Sequence, residues 1–487
     1  MRYKSGINKN QDSFLPSCLD DYVGEEHICR IIDAFTDTLD MTGLGFKYAE
    51  PNDKGCRPYN PRLMLNLYIY GYLNRIRSSR RLEAETLRNV EVMWLIDKLT
   101  PDDRTICNFR KDNSASLKAT FREFSIMCRK LELFGGEVVA IDGTKIRASN
   151  NYDNNFNEER AKKTLTKIEK SIADYMKDLD EADKQEASEP KIDKEKIQKA
   201  LKKLQDKKNK IEELKPRLKE PGGVSIVDQD ARMMKQGGDA KKTNVCYNVQ
   251  SVVDNKNSLV VDFEITNNGS DLRNLKPMTD SAKEILGVEK IAAIADKGYY
   301  DGADIVACEK SGVTCYVPRP DLTNNKRAKN LDPQFGFNYF NFDVEKNCFI
   351  CPMGKELYHA RTEKPNKRYN RPRLIYTNKQ ACKECCNRAK CINSPFKEIH
   401  AEEFQRDLVK VNLRTKNTPE LVKKRKQIVE HPFGTIKKVW GFSQFLCRTN
   451  PKVRAEMSLT FLAYNLRRVL TLFSDKKRDL ITKMQAI

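Results

Sequence analysis

Asp142 follows the run Val138-Val139-Ala140-Ile141, and Asp296 follows Ile291-Ala292-Ala293-Ile294-Ala295. Both runs are short and apolar, the pattern of a strand buried on both faces. Each acid is followed within two positions by a glycine, Gly143 or Gly298, so each carboxylate is expected where a core strand ends and a loop begins. A strand there fixes the carboxylate while the loop leaves room for a substrate. Either acid alone reads more readily as a turn residue, and it is the repetition that favours chemistry. A third acid, Glu430, stands in Arg425-Lys426-Gln427-Ile428-Val429-Glu430-His431-Pro432-Phe433-Gly434-Thr435-Ile436-Lys437. Glu430 and Lys437 are two helical turns apart and share a face if the helix survives Pro432. His431, beside Pro432 and Phe433, reads as structural rather than as a base. Carboxylates brought together repel one another unless a cation sits between them. Hard divalent cations such as Mg²⁺ prefer such oxygens, and a pair of them is the standard device for in-line attack at a phosphodiester.

A second group offers sulfur. Cys348-x-x-Cys351 is followed by Cys382-x-x-Cys385, Cys386 and Cys391. In a chain whose 15 cysteines are otherwise scattered, this spacing suits a zinc knuckle better than a disulfide framework. Cys351, Cys382, Cys385 and Cys391 make the best four, and the alternative is a cysteine-rich insertion that packs without metal. A third group is basic. After Pro101, Asp102 or Asp103 can cap a helix carrying Thr105, Asn108, Phe109, Arg110 and Lys111. Short helices joined by tight turns suit a helix-turn-helix DNA reader, with Arg110 and Lys111 as contacts, although any basic helical bundle looks similar.

The elements that must position these groups follow in order. Helical spacing runs through Ile28, Ile31, Ile32 and Phe35, then through Leu63, Leu67, Tyr70 and Leu73 after Pro61. From Glu158 to about Glu220 the chain is dense in Lys and Glu. Two broken apolar seams there, Leu165, Ile168, Ile172, Met176, Leu179 and Ile197, Leu201, Leu204, Ile211, Leu218, flank the polar link Ser188-Glu189-Pro190 and suggest an antiparallel helical hairpin. Asn244–Val253 and Ser258–Thr266 alternate around a polar turn and read as a β-hairpin. A helix over Leu272–Leu286, the strand before Asp296, a helix over Ala303–Lys310 and a strand over Val313–Val317 then give a mixed α/β sheet whose last strands are parallel. If the two acid-bearing strands are neighbours, Asp142 and Asp296 lie at one edge. Asp321 to Asn417 reads as loop-rich and basic, and a helix from Ala455 to Leu472 is expected to pack on the sheet.

With 89 Lys and Arg against 68 acids, the chain carries a net charge of +21, which favours a polyanionic partner, nucleic acid first. No apolar run approaches the roughly 20 residues that span a bilayer, and Met1-Arg2-Tyr3-Lys4-Ser5-Gly6 does not lead into a signal peptide. A cytoplasmic protein without membrane contact is expected.

Taken together, the blocks resemble the bacterial insertion-sequence transposases of the DDE class. Pro58–Asn113 resembles their N-terminal helical domain. Ala140-Ile141-Asp142-Gly143-Thr144-Lys145 resembles the first aspartate block, and Asp228-Gln229-Asp230-Ala231-Arg232 with Tyr247-Asn248-Val249-Gln250 the strand block after it. Ala295-Asp296-Lys297-Gly298-Tyr299 resembles the second aspartate block and Val429–Lys437 the glutamate block. Cys382–Cys391 resembles a cysteine-bearing insertion of one branch. The resemblance implies an α/β fold with an RNase H-like mixed-sheet core (136–153, 224–320 and 418–475). That core would carry an N-terminal helical DNA-binding domain (1–130), a helical-hairpin insertion (154–223) and a basic cysteine-rich insertion (321–417). It implies that Asp142, Asp296 and Glu430 hold two Mg²⁺ ions, and that Lys437 matches the lysine of the family's Tyr-Arg-Glu-Lys signature, which touches DNA phosphates. The tyrosine and arginine slots fall on Lys423 and Lys426, with Arg425 one place early, so basic character persists there while the tyrosine does not. The implied activity is cleavage at terminal inverted repeats and transfer to target DNA, by at least a dimer. A decayed DNA-binding relative and a metal-dependent nuclease without joining activity are the alternatives.

Overall fold

The computed structural model describes residues 18–50, 57–184, 194–236, 243–320, 331–365 and 371–486, so the link Ser188-Glu189-Pro190 lies outside the described residues. The chain divides into two compact units, Met1–Glu132 with Pro451–Ile487, and Leu133–Asn450.

The first unit is helical: α1 (Ile28–Asp37), α2 (Pro61–Leu73), α3 (Ser79–Arg88), α4 (Val90–Leu95), α5 (Asp103–Asp112) and α6 (Ser114–Lys130). Proline at the first position and the Asn60 side chain, which accepts from the Arg62 N–H, start α2, and eleven of its residues are buried. The Asp102 carboxylate accepts the Thr105 N–H at 2.7 Å and starts α5.

In the second unit, β1 (Val138–Arg147) leads through the short β2 (Asn155–Phe156) into the helices α7 (Glu158–Lys184) and α8 (Lys194–Glu213). Ile168 of α7 and Ile211 of α8 are buried in one apolar cluster with Leu214 and Leu218, which follow α8; Leu165, Ile172 and Leu204 pack alongside, and Lys208 pairs with Glu169 at 2.9 Å. Met176, on the expected seam, is exposed. The chain returns through β3 (Val224–Ser225) and β4 (Arg232–Lys235) to the hairpin β5 (Thr243–Asp254) and β6 (Val260–Thr266). Then follow α9 (Leu275–Leu286), β7 (Ile291–Ile294), α10 (Gly302–Lys310) and β8 (Val313–Tyr316). These strands form a mixed sheet in the order β4-β5-β1-β7-β8, with β6 also on β5. β1 is antiparallel to β5 and parallel to β7, and β7 is parallel to β8.

The region from 331 to 402 departs from the loop-rich expectation. β9 (Asn341–Asp343), β10 (Cys348–Ile350), β11 (Glu356–Glu363), β12 (Arg373–Thr377) and β13 (Ile399–Glu402) form an antiparallel meander. Its strands are short and β11 is largely exposed, so they lack clean apolar alternation. A small aromatic core holds them, with Phe349 within 5.1 Å of Tyr376 and 4.9 Å of Phe342, centroid to centroid. Two short helices, α11 (Lys379–Lys383) and α12 (Arg388–Cys391), sit between β12 and β13. α13 (Gln405–Asn417) and α14 (Pro419–Gly434) then return to the mixed sheet, α14 touching β1, β5 and β7.

The last helices are α15 (Asn450–Leu472) and α16 (Lys477–Gln485). From Pro451 onward they group with the first unit rather than with the sheet. Arg77 pairs with the buried Glu456 at 3.2 Å, and α16 packs on α1. A run as apolar as Leu459–Leu466 fits a helical core as well as a sheet face, and spacing alone cannot choose between them.

Candidate active site

β1 does not stop at Asp142. It runs on to Arg147 because Asp142–Arg147 continue to pair with Ser251–Cys246 of β5. On the other side β1 pairs with β7 only over Val138–Ala140, Ala140 opposite Ile294. Two residues further on both strands stand Asp142 and Asp296, so the parallel register aligns the two acids where β7 ends. The Asp296 carboxylate accepts the Gly298 N–H at 2.7 Å and caps a single 3-10 turn, Lys297–Tyr299. Asp142 accepts the Gly143 N–H at 3.0 Å. Burial pushes the Asp142 carboxyl up to about 6; Arg425 works against the shift, and the neighbouring Asp296 and Asp271 add to it.

Arg425, on α14, lies with its Nη1 3.4 Å from Asp142 Oδ1, and that nitrogen is buried with no hydrogen-bond partner among the described residues. Glu430 is on the same helix, little more than one turn later, with a side chain 63 % exposed and 3.7 Å from Lys426. The helix passes Pro432 and continues to Gly434, where it widens into a π turn over Thr435–Val439. A wider turn is one way a helix accommodates a proline that cannot donate its N–H. The turn carries Lys437 inward, where its ammonium donates to Thr144 Oγ1 and to the Lys145 carbonyl at 3.1 Å. Burial pulls its pKa below the usual lysine range.

Asp142, Arg425 and Lys437 are therefore gathered about one stretch of β1, with Asp296 aligned on β7. Glu430 sits on the helix packed against that stretch, its carboxylate turned to solvent. Among the described residues, the one set of three or more metal-ligand atoms within 4.8 Å of one another is His27, Cys29 and Glu91. Neither the three acids nor the cysteines are drawn that close. In the helical unit, Arg110 is 6 % exposed, donates to the Tyr72 hydroxyl at 2.9 Å and lies over the Tyr68 ring. Its guanidinium is committed to the fold, a correction to its reading as a DNA contact, while Lys111 beside it is exposed.

Cys351, Cys382, Cys385 and Cys391 line one small cavity of about 40 Å³ with Met353, while Cys348 is buried in β10 and Cys386 is exposed. Burial raises the Cys391 thiol; Lys397 opposes the rise, and Cys382, Cys351 and Cys385 add to it.

One residue near the acids escaped the sequence reading. Asp271 follows β6 and precedes α9, and its carboxylate reaches over Gly143. In Asn267-Asn268-Gly269-Ser270-Asp271 it looks like one more polar turn residue, and only the fold brings it to β1.

Residues 17–112 match the transposase domain DUF772, and residues 133–466 match the transposase DDE domain. No curated protein matches the chain.

Proposed function

The chain belongs to the DDE transposases of insertion sequences, whose domain covers residues 133–466 and whose core is RNase H-like; from that premise we propose that it binds the terminal inverted repeats of its element, cuts there and joins the ends to target DNA. The observation that carries this reading is the register of β1 and β7, which sets Asp142 beside Asp296, with the helix that bears Glu430 packed on the same strands. The donor set fits a divalent cation: hard carboxylate oxygens, and the Ser251 hydroxyl, opposite Asp142 on β5, buried without a partner among the described residues. Asp142, Asp296 and Glu430 would hold Mg²⁺, two ions in all. Bound there, Mg²⁺ supplies positive charge that activates the attacking oxygen and stabilises the leaving one.

The chain's own residues do the rest. Arg425 neutralises Asp142 until metal and DNA arrive, and its guanidinium then becomes free to take a phosphate. Lys426, exposed beside Glu430, meets the DNA backbone from the same helix face. Lys437 acts through Thr144 and Lys145, holding β1 against α14. Lys111 is the contact offered by α5. The four cysteines around the cavity would hold one Zn²⁺ that ties β10 to α11 and α12. Two copies of the chain bring two element ends together in the cytoplasm.

The test is strand cleavage and joining of element-end DNA with Mg²⁺ by the full chain beside Asp142→Asn. Cleavage by the wild type and a loss of about a hundredfold or more in the variant are expected. Equal cleavage by both overturns the reading, and cleavage that never yields joined product makes the protein a nuclease.

A further inference from the structure

Asp271 has a setting that the three-acid reading leaves unused. Its Oδ1 accepts two hydrogen bonds from fully buried amides on β5, from Asn248 Nδ2 at 2.8 Å and from Gln250 Nε2 at 2.7 Å. Gln250 is fixed in turn by the buried Tyr299, whose hydroxyl donates to its Oε1. The carboxylate is thus held by neutral donors, and no lysine or arginine among the described residues pairs with it. Among the described residues no group donates a hydrogen bond to its Oδ2. Gly143 is what lets it approach, since a Cβ there would lie 2.5 Å from Asp271 Oδ1 and 2.5 Å from Gln250 Nε2. In the 3-10 turn after β7, the position of a Cβ at Gly298 lies 2.9 Å from Asp296 Oδ1 and 3.5 Å from Asp271 Oδ2. The two acids therefore face one small space left by a glycine. Among the described residues two buried oxygens nearby on β5 have no hydrogen-bond partner, Asn248 Oδ1 on the face that Asp271 covers and Ser251 Oγ, opposite Asp142, on the other.

A carboxylate that is oriented by two neutral amides, left without a counter-charge and set beside two others is repelled by them until a cation intervenes. Two amides clamping one oxygen also fix which way the second points, as groups behind a metal ligand do. We propose that Asp271 is a fourth carboxylate of the metal centre, offering its free Oδ2 to a divalent cation shared with Asp296. The site is then closed from both faces of the sheet, by Asp271 from the β6–α9 connection and by Glu430 from α14. This rests on the metal-dependent reading of Asp142 and Asp296.

Asp271→Asn is the informative variant, because asparagine keeps Oδ1 as an acceptor for both amides and removes only the charge. Mn²⁺ binding to the full chain, followed by the electron paramagnetic resonance of the free ion, is expected to weaken about tenfold or more, with melting in chelator close to wild type. Unchanged Mn²⁺ affinity in Asp271→Asn, alongside a loss in Asp142→Asn, overturns the role of Asp271 and leaves the proposed function standing. Unchanged affinity in both variants removes the metal centre itself. Should Asp271→Asn fail to fold, wild-type protein loaded with Fe²⁺ and treated with ascorbate and peroxide decides the matter. Backbone cuts at residues 268–273 as well as near Asp142 and Asp296 are expected, and cuts near those two acids alone overturn the proposal.

Discussion

Asp142 is pulled two ways. Burial and two neighbouring acids favour its protonated form, Arg425 and the Gly143 N–H favour the charged one, and the balance lies at about 6 against an ordinary 3.8. A raised carboxyl pKa means that the folded, metal-free chain holds this proton more tightly than the unfolded one. The stability it contributes is fully present below about pH 4 and is lost as pH rises through about 6. In chelator, Asp142→Asn is therefore expected to gain on the wild type by roughly 1–3 kcal/mol between pH 4 and 7, read as the difference in melting at the two pH values. A constant difference across that range would show the aspartate ionised throughout. The proposed metal binding runs the other way: it would require the carboxylate, so Mn²⁺ affinity is expected to fall as pH drops below 6. At this scale the sequence was a partial guide. Asp142 and Asp296 could be found because apolar runs announce their strands. Asp271 could not, because its meaning lies in Asn248, Gln250 and Gly143, which are distant in the chain. Arg110 misled for the converse reason: a basic residue on a short helix says nothing of which side of the helix is covered.

Among the elements, α14 and its π turn govern the geometry. Lys437 joins that turn to β1 through Thr144 and the Lys145 carbonyl. Replacing it with methionine keeps the apolar stem and removes the donor, leaving the half-buried Lys145 carbonyl without the ammonium that meets it. A loss of about 1–3 kcal/mol is expected from denaturant unfolding, with cleavage reduced through the misplaced helix. A variant of wild-type stability and undiminished cleavage would exclude this anchoring. The zinc reading is also tested on its element: about one zinc per chain is expected by metal analysis of purified protein, and little in the double variant Cys385→Ser, Cys391→Ser. A metal-free wild-type chain would leave the cysteines as packing. The order of the core elements was readable because β1, β5, β6 and β7 each announce themselves by alternation or an apolar run. The meander from β9 to β13 was not, since half-exposed strands carry no such signal and their pairing depends on a few aromatic contacts.

At the scale of the whole molecule, the net charge of +21 predicts binding that is strongly salt-dependent. If about 6–10 phosphates are neutralised, affinity for element-end DNA should fall by roughly 10³–10⁵ between 50 and 200 mM salt, measured by titration at several salt concentrations. A flat response would mean that the excess charge faces elsewhere. The pairing of Val138–Ala140 with Ala292–Ile294 has a further consequence, for how the protein is made. β1 leaves the ribosome with Asp142 well before any strand it pairs with, and β7 follows only after α7, α8 and β4 to β6. Glu430 is synthesised later still, and the helical unit waits for α15 and α16. Contacts so distant in sequence form late in folding. A chain whose translation is interrupted before residue 418 therefore lacks both α14 and the helices that finish the first unit. Such a fragment would carry Asp142 and Asp296 without the helix that sets Glu430 and Arg425 against them, so the proposed site cannot be assembled before α14 is made.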